Sequence, residues 1–209
     1  MPTVIDVYNM ALDIASARTE MTELNEDTRE GRVVRRWYQP VVDQVHKAAY
    51  WNFTRRVEAL TVPTAQTTGP WAWRYDQPAD MLAARFIEEQ YAPFVISRQN
   101  ILTNVENARL VFTQRIEQPN DWDPIFLMAV TFALAGAIAV PLMGDRALAN
   151  DLYQKANQQI MQGRIVNGEE AISFVLVDQT PDWLMARDSA TAYTNPYIVG
   201  LGPLFTELT

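Results

Sequence analysis

The sequence predicts an α+β fold: a four-helix bundle, a small antiparallel β-region inserted into it, and an extended C-terminal tail. Three observations carry this. Apolar residues recur at helical spacing over residues 1–50 and again over 121–168. Between them, residues 51–120 turn to β-branched and aromatic residues in partial alternation, broken by Pro and Gly. Residues 169–209 follow neither period. The expected organisation is therefore a helical bundle from 1–50 and 121–168, an inserted β-region over 51–120, and a tail over 169–209. With 209 residues, 48% of them apolar and 20% charged, the chain can bury a sizeable core and has the composition of a folded domain.

The first helix is expected from Thr3, where Thr3 and Asp6 resemble a capping box, to about Ala17, with Val4, Val7, Ala11 and Ile14 on one face. Residues 18–28 are polar and read as a loop. A second helix follows with Val34, Trp37, Val41, Val45 and Ala48 on its inner face. Pro40 sits inside that pattern and predicts a kink or a local interruption.

Strands are expected at Phe53–Val62 and Arg109–Arg115, with shorter ones at Trp71–Tyr75, Ala84–Glu88 and Phe94–Ser97, together forming one small sheet. Helices resume at Asp123, a good N-cap preceding Pro124 at the first helical position. The third helix, Pro124 to Val140, is apolar almost all round and so is expected to be buried on all sides. Pro141–Gly144 should end it. Asp145 should cap a fourth helix running to about Gly163, with Leu148, Leu152, Ala156 and Ile160 inward and Gln154, Lys155, Gln158 and Gln159 outward. Ile172–Val177 then reads as a strand-like apolar run. Beyond it Trp183, Leu184, Tyr193, Tyr197, Ile198, Leu201, Leu204 and Phe205 are punctuated by Pro181, Pro196 and Pro203. That segment is too apolar for a disordered tail and needs a surface to lie on.

Composition narrows the function classes. A formal net charge of −8 gives no footprint for wrapping nucleic acid, which requires clustered Lys and Arg. It suits a wall past which a duplex slides. There is no cysteine, so disulfides and thiolate metal sites are excluded. Residues Ile125–Gly144 carry no charge, but a helix ended by Pro141 would span only about 24 Å at 1.5 Å per residue, short of a hydrocarbon core of roughly 30 Å. A buried core helix is the expectation, and no membrane span. The N-terminus lacks the basic region of a signal peptide, and Asp6 and Asp13 interrupt its apolar run.

Candidate chemistry is sparse. His46 is the only histidine and has no neighbouring cysteine or base, so a surface or structural role is expected. Acidic pairs occur at Glu88-Glu89, Asp121/Asp123 and Glu169-Glu170. Paired carboxylates can run glycoside hydrolysis, but adjacent acids are commonly solvated. Asp80 reads as a turn residue after Pro78, and Asp145 as a cap. Asp145 and Asp151 do not have calcium-loop spacing. No phosphate-cradling glycine loop or His/Asp/Glu metal cluster is found, so no catalytic residue, cofactor or metal is expected. Trp51, Trp71, Trp73 and Tyr75 read as an aromatic cluster beside the sheet. Arg55 and Arg56 are adjacent on a strand and so point to opposite faces.

An aromatic strand after a helix, then Trp73-Arg74-Tyr75 and Pro78-Ala79-Asp80, then Asp121, an Ala-rich helix and Pro141-Leu142-Met143-Gly144-Asp145 form an ordered set. Over residues 48–170 this set resembles the tail tubular protein A family, the head-to-tail adaptors of short-tailed bacteriophages. The departures are Met143, where small polar residues are common, and the long Ile172–Thr209 tail. The resemblance implies a structural virion protein of the tail, assembled in the host cytoplasm and not an enzyme. It implies a ring of twelve copies between the portal protein and the tail nozzle protein, with genomic DNA passing through the lumen without sequence-specific binding. In that setting Trp183, Tyr193, Tyr197 and Phe205 are the expected portal anchors, because large aromatics dominate interface energetics. Trp71, Trp73, Arg55 and Arg56 are expected at the ring or nozzle contact. A tail-associated peptidoglycan hydrolase is the alternative.

Overall fold

A computed structural model of the chain describes residues 2–17, 19–61, 63–65, 69–89 and 91–175. The first helix, α1 (Val4–Ile14), opens with the expected capping box. The Asp6 carboxylate accepts from the Thr3 backbone N–H at 2.7 Å, and Thr3 Oγ1 accepts from the Asp6 N–H at 3.3 Å. The helix ends three residues earlier than the periodicity implies. Ser16 turns to φ 61°, the Ser16 N–H donates to Asp13 O and the Ala17 N–H to Leu12 O, which is a Schellman end with serine in the left-handed position. The loop that follows is held by side chains. Asn9 bonds both the N–H and the C=O of Met21, and Arg35 donates to Leu24 O and Glu26 O.

Helix α2 (Arg29–Ala48), capped by Thr28, runs through Pro40 without a break. The missing N–H of Pro40 leaves only the Arg36 carbonyl without its helical partner. Both residues are exposed, where water can take that role. The last carbonyls of α2 are met by guanidinium groups: Arg164 donates to Ala48 O, and Arg85 Nη2 to Ala49 O at 2.6 Å.

The β-region contains two antiparallel sheets rather than one. The first has the order β1 (Arg55–Ala59), β7 (Arg109–Gln114), β4 (Met81–Ile87), with β4 bulged against β7. The second has the order β2 (Thr64–Ala65), β3 (Trp73–Asp76), β6 (Asn100–Thr103), β5 (Phe94–Ser97). Central β7 is buried from Leu110 through Thr113. Its Leu110 and Phe112 join Tyr75, Ile87 and Ile101 in the β-region core.

Helix α3 (Pro124–Met143) starts at Asp123, whose carboxylate accepts from Ile125 N–H at 2.7 Å and Phe126 N–H at 3.3 Å. It does not stop at Pro141. That proline lies within its last turn, Arg29 Nη2 donates to Pro141 O at 2.7 Å, and Gly144 at φ 73° closes the end. Nor is α3 buried on all sides: Ala133–Ala139 are enclosed, but Val140 and Met143 are exposed. It is long and apolar enough to cross a membrane by length and composition, and half of its most apolar window is buried inside the protein. Asp145 caps the next helix through Leu148 N–H at 2.9 Å. Helix α4 (Arg146–Val175) continues twelve residues past the expected end at Gly163. The strand-like reading of Ile172–Val177 is thereby corrected over 172–175, which are helical.

A four-helix bundle is not what these helices make. The 11 residues of α1 reach only about three turns, while α4 has 30 residues. The core around α3 is closed instead by side chains from outside the helices: Met21, Trp51, Phe53 and Trp122. The fold is mixed α+β, with one core around α3 and a second between the two sheets. The chain divides into two units, residues 1–168 and 169–209.

Candidate interaction surfaces

The residues nominated for chemistry are occupied structurally. His46 is fully buried. Its Nε2 lies 3.4 Å from the Ile116 N–H, which must donate, so the ring proton sits on Nδ1 and donates to Val42 O at 2.8 Å. Phe126 meets the ring edge-on at 4.5 Å, with Trp122 and Phe53 each at 6.4 Å. Burial pushes the imidazole pKa below its ordinary value. Beside it, Arg115 holds Asp43 through two bonds of 3.0 and 2.6 Å, tying α2 to the end of β7.

Among the described residues the acidic pairs are held in separate structural roles. Glu88 pairs with Arg109 at 2.9 Å, and Glu89 accepts from the Arg109 backbone N–H. Asp123 caps α3, and the side chains of Glu169 and Glu170 lie outside the described residues. Asp80 accepts from Arg56 at 2.9 Å and Gln114 at 2.6 Å, so it staples β1 to β7 beside the turn that contains it. An open depression of about 490 Å³ lies at one end of the β-region, lined by Asp76, Gln77, Pro78, Met81, Gln99 and Asn100. Asp76 is its single carboxylate. Among the described residues no group of three His, Cys, Asp or Glu is arranged to hold a metal.

The expected aromatic cluster is split between the two cores. Trp51 belongs to the helical core, where its Nε1–H donates to Val45 O at 2.9 Å and Phe126 meets it edge-on at 5.1 Å. Tyr75 belongs to the β-region core, with Trp73 packed against it and Trp71 half-buried nearby in the chain. Arg55 is exposed, and Arg56 is engaged by Glu58 as well as Asp80. Trp183, Tyr193, Tyr197 and Phe205 lie outside the described residues.

Among the described residues, and besides Leu24 and the Val140 and Met143 end of α3, exposed apolar side chains gather in two further places. At the β-region, edge strand β5 pairs only with β6 among the described residues, and Val95, Ile96 and Tyr91 are exposed on and beside it. The second place lies where α2, α3 and α4 meet. Trp37, expected inside, is 41% exposed there and faces a groove that also includes Tyr153. A stripe read at one-turn intervals drifts around the helix, so Trp37 falls at the margin of the inner face that Val34, Val41 and Val45 occupy. The sequence signal for this surface was Trp37 and Tyr153 themselves, large aromatics at the edges of helical stripes.

No protein-family model matches the chain, and no curated protein matches it.

Proposed function

We propose that the chain is a structural virion protein: a head-to-tail adaptor that forms a ring between portal and tail nozzle, through which genomic DNA passes. One observation supports this reading beyond the resemblance. A single subunit carries two different exposed apolar surfaces, the β5 edge with Tyr91 and the groove framed by Trp37 and Tyr153. A ring contact is head-to-tail, pairing two unlike surfaces and closing by rotation, and two such patches on one subunit can supply it. The net charge of −8 agrees with a lumen that repels phosphates.

In this reading the family-like acids are scaffold, as their bonds to strands and helix ends support, and no step of catalysis is assigned to the chain. Helix α3 is the core helix of the helical part rather than a membrane span. The C-terminal segment, with its large aromatics, is the portal contact. Twelve copies are taken from the family resemblance. Truncation after Val177 should leave a folded protein that no longer attaches to the portal, measured by co-sedimentation. Retained portal binding would remove that assignment, and peptidoglycan clearing in a zymogram would favour a hydrolase.

A further inference from the structure

Three arginines and a tyrosine gather where the end of α2 meets the first sheet. Arg85 is the extra residue of the β4 bulge between Ala84 and Phe86, and a bulge re-aims the side chain it carries. Its guanidinium is held along one edge: Nε donates to Thr113 Oγ1 at 2.8 Å and Nη2 to Ala49 O at 2.6 Å. Nη1 makes no hydrogen bond among the described residues, so the fork it forms with Nη2 is fixed in place with donors still to give. Arg164 donates to Ala48 O, one residue earlier. Successive Cα atoms stand about 3.8 Å apart, so two guanidinium groups are drawn to one helix end. Arg55 completes the set. It lies directly opposite Thr113 across β1 and β7, so its side chain leaves the sheet on the face where Arg85 reaches Thr113.

No described carboxylate pairs with Arg55, Arg85 or Arg164, although Arg32, Arg56, Arg109, Arg115 and Lys155 each have one. The three cations therefore repel one another. Burial lowers the Arg85 pKa, and the charge of Arg164 adds to that shift. Tyr50 is a second, independent sign. Arg85 Cζ stands 5.4 Å from the centre of its ring, and its Oη is buried without a hydrogen-bond partner among the described residues. Buried hydroxyls are ordinarily satisfied. Burial raises the Tyr50 pKa against the pull of Arg55 and Arg85, which leaves the hydroxyl a donor at neutral pH. A half-used fork, two further guanidinium groups and an orphan hydroxyl all lack one thing, an anionic acceptor.

The donors come from β1, β4, α4 and the residue after the C-cap of α2, and so from several directions. A carboxylate offers two oxygens in one plane. A phosphate group offers oxygens on several sides and carries up to nearly two charges near neutral pH. We propose that Arg55, Arg85, Arg164 and Tyr50 form a binding site for one phosphate group. The net charge of −8 opposes wrapping a nucleic acid and is compatible with a single local contact. The group belongs either to the free ion or to a nucleic-acid backbone. Its binding does not depend on the chain forming a ring.

The test titrates inorganic phosphate, a short DNA duplex and acetate separately into the full nitrogen-15-labelled chain at constant ionic strength. Arginine side-chain Nε–H signals are followed by NMR. The Arg85 signal should shift and saturate with phosphate or duplex. Binding should weaken by about tenfold in R55Q and in R164Q, the scale of one lost charge-assisted hydrogen bond. Y50F, which removes only the hydroxyl, should weaken it severalfold. Arg85 itself is left in place because it braces the end of α2 against β7. Duplex binding, alone or in competition with phosphate, names the backbone as the source; phosphate binding that the duplex leaves untouched names the free ion. Shifts that never saturate, or that R55Q and R164Q leave unchanged, overturn the proposal. So does acetate binding as tightly as phosphate, which would give the cluster to an acidic protein segment.

Discussion

Gly163 on α4 faces the ring of Trp51, and replacing it with alanine tests how tightly that helix is seated on the core. A Cβ at Gly163 would stand 2.3 Å from Trp51 Cζ3 and 2.5 Å from Cη2, against about 3.5–4.0 Å for a relaxed carbon contact. The ring or the helix must therefore retreat by more than about 1 Å. Trp51 has little room to do so: it is fully buried, its indole N–H is bound to Val45 O, and Phe126 stands edge-on at 5.1 Å. Overpacking of this kind costs about 1–3 kcal/mol. Alanine's better helix propensity offsets up to about 1 kcal/mol of that. Gly168 supplies the control, since it lies on the same helix and a Cβ there meets nothing within 4 Å. Gly168→Ala should gain about 0.5–1 kcal/mol, and the difference between the two substitutions isolates the steric term at about 1–3 kcal/mol. Urea unfolding followed by tryptophan fluorescence measures both; in thermal melts about 1 kcal/mol corresponds to roughly 2–4 °C at this size. Equal stabilisation by both substitutions would refute the seating of α4 against Trp51.

Three further predictions concern local devices. Because His46 is buried and neutral, with Nε2 accepting from Ile116 N–H, its folded pKa lies below its unfolded one. Its contribution is then complete above about pH 6.5 and is lost as pH falls toward the folded value. Unfolding free energies should decline between pH 7.5 and 5, and an imidazole NMR titration with a midpoint above 6.5 would contradict the burial. Ser16→Gly should raise stability by about 1 kcal/mol in urea unfolding, since glycine adopts φ 61° without the steric cost that serine carries there. Asp123→Ala removes the acceptor for two N–H groups of α3 and should cost about 1 kcal/mol in the same assay, with no change would mean the cap is replaceable by water.

The legible parts of this fold are those decided by a few neighbouring residues. Thr3 with Asp6, Asp123 with Pro124, and Asp145 cap their helices as the sequence implies, because a cap depends on groups three residues apart. Boundaries shifted where backbone energetics were finely balanced. Ser16 accepts a left-handed φ, Pro40 lies where its lost bond faces solvent, and Pro141 falls in a last turn already closed by Gly144. Sheet partition was not legible, since pairing β7 with both β1 and β4 while β6 joins β3 and β5 is set by contacts far apart in sequence. The strand Asn100–Thr103 is too short for its alternation to stand out. Burial of His46 depends on Phe53, Trp122 and Phe126 arriving from elsewhere in the chain. Residues 172–175 have strand composition but continue a helix already under way.

The adaptor reading is tested most directly by the mass of the purified chain, alone and mixed with its cognate portal, measured by light scattering. The account predicts a ring-sized complex, either spontaneously or only when portal is present, and in the second case the portal nucleates the ring. A chain that stays monomeric at every concentration and is indifferent to portal would contradict it.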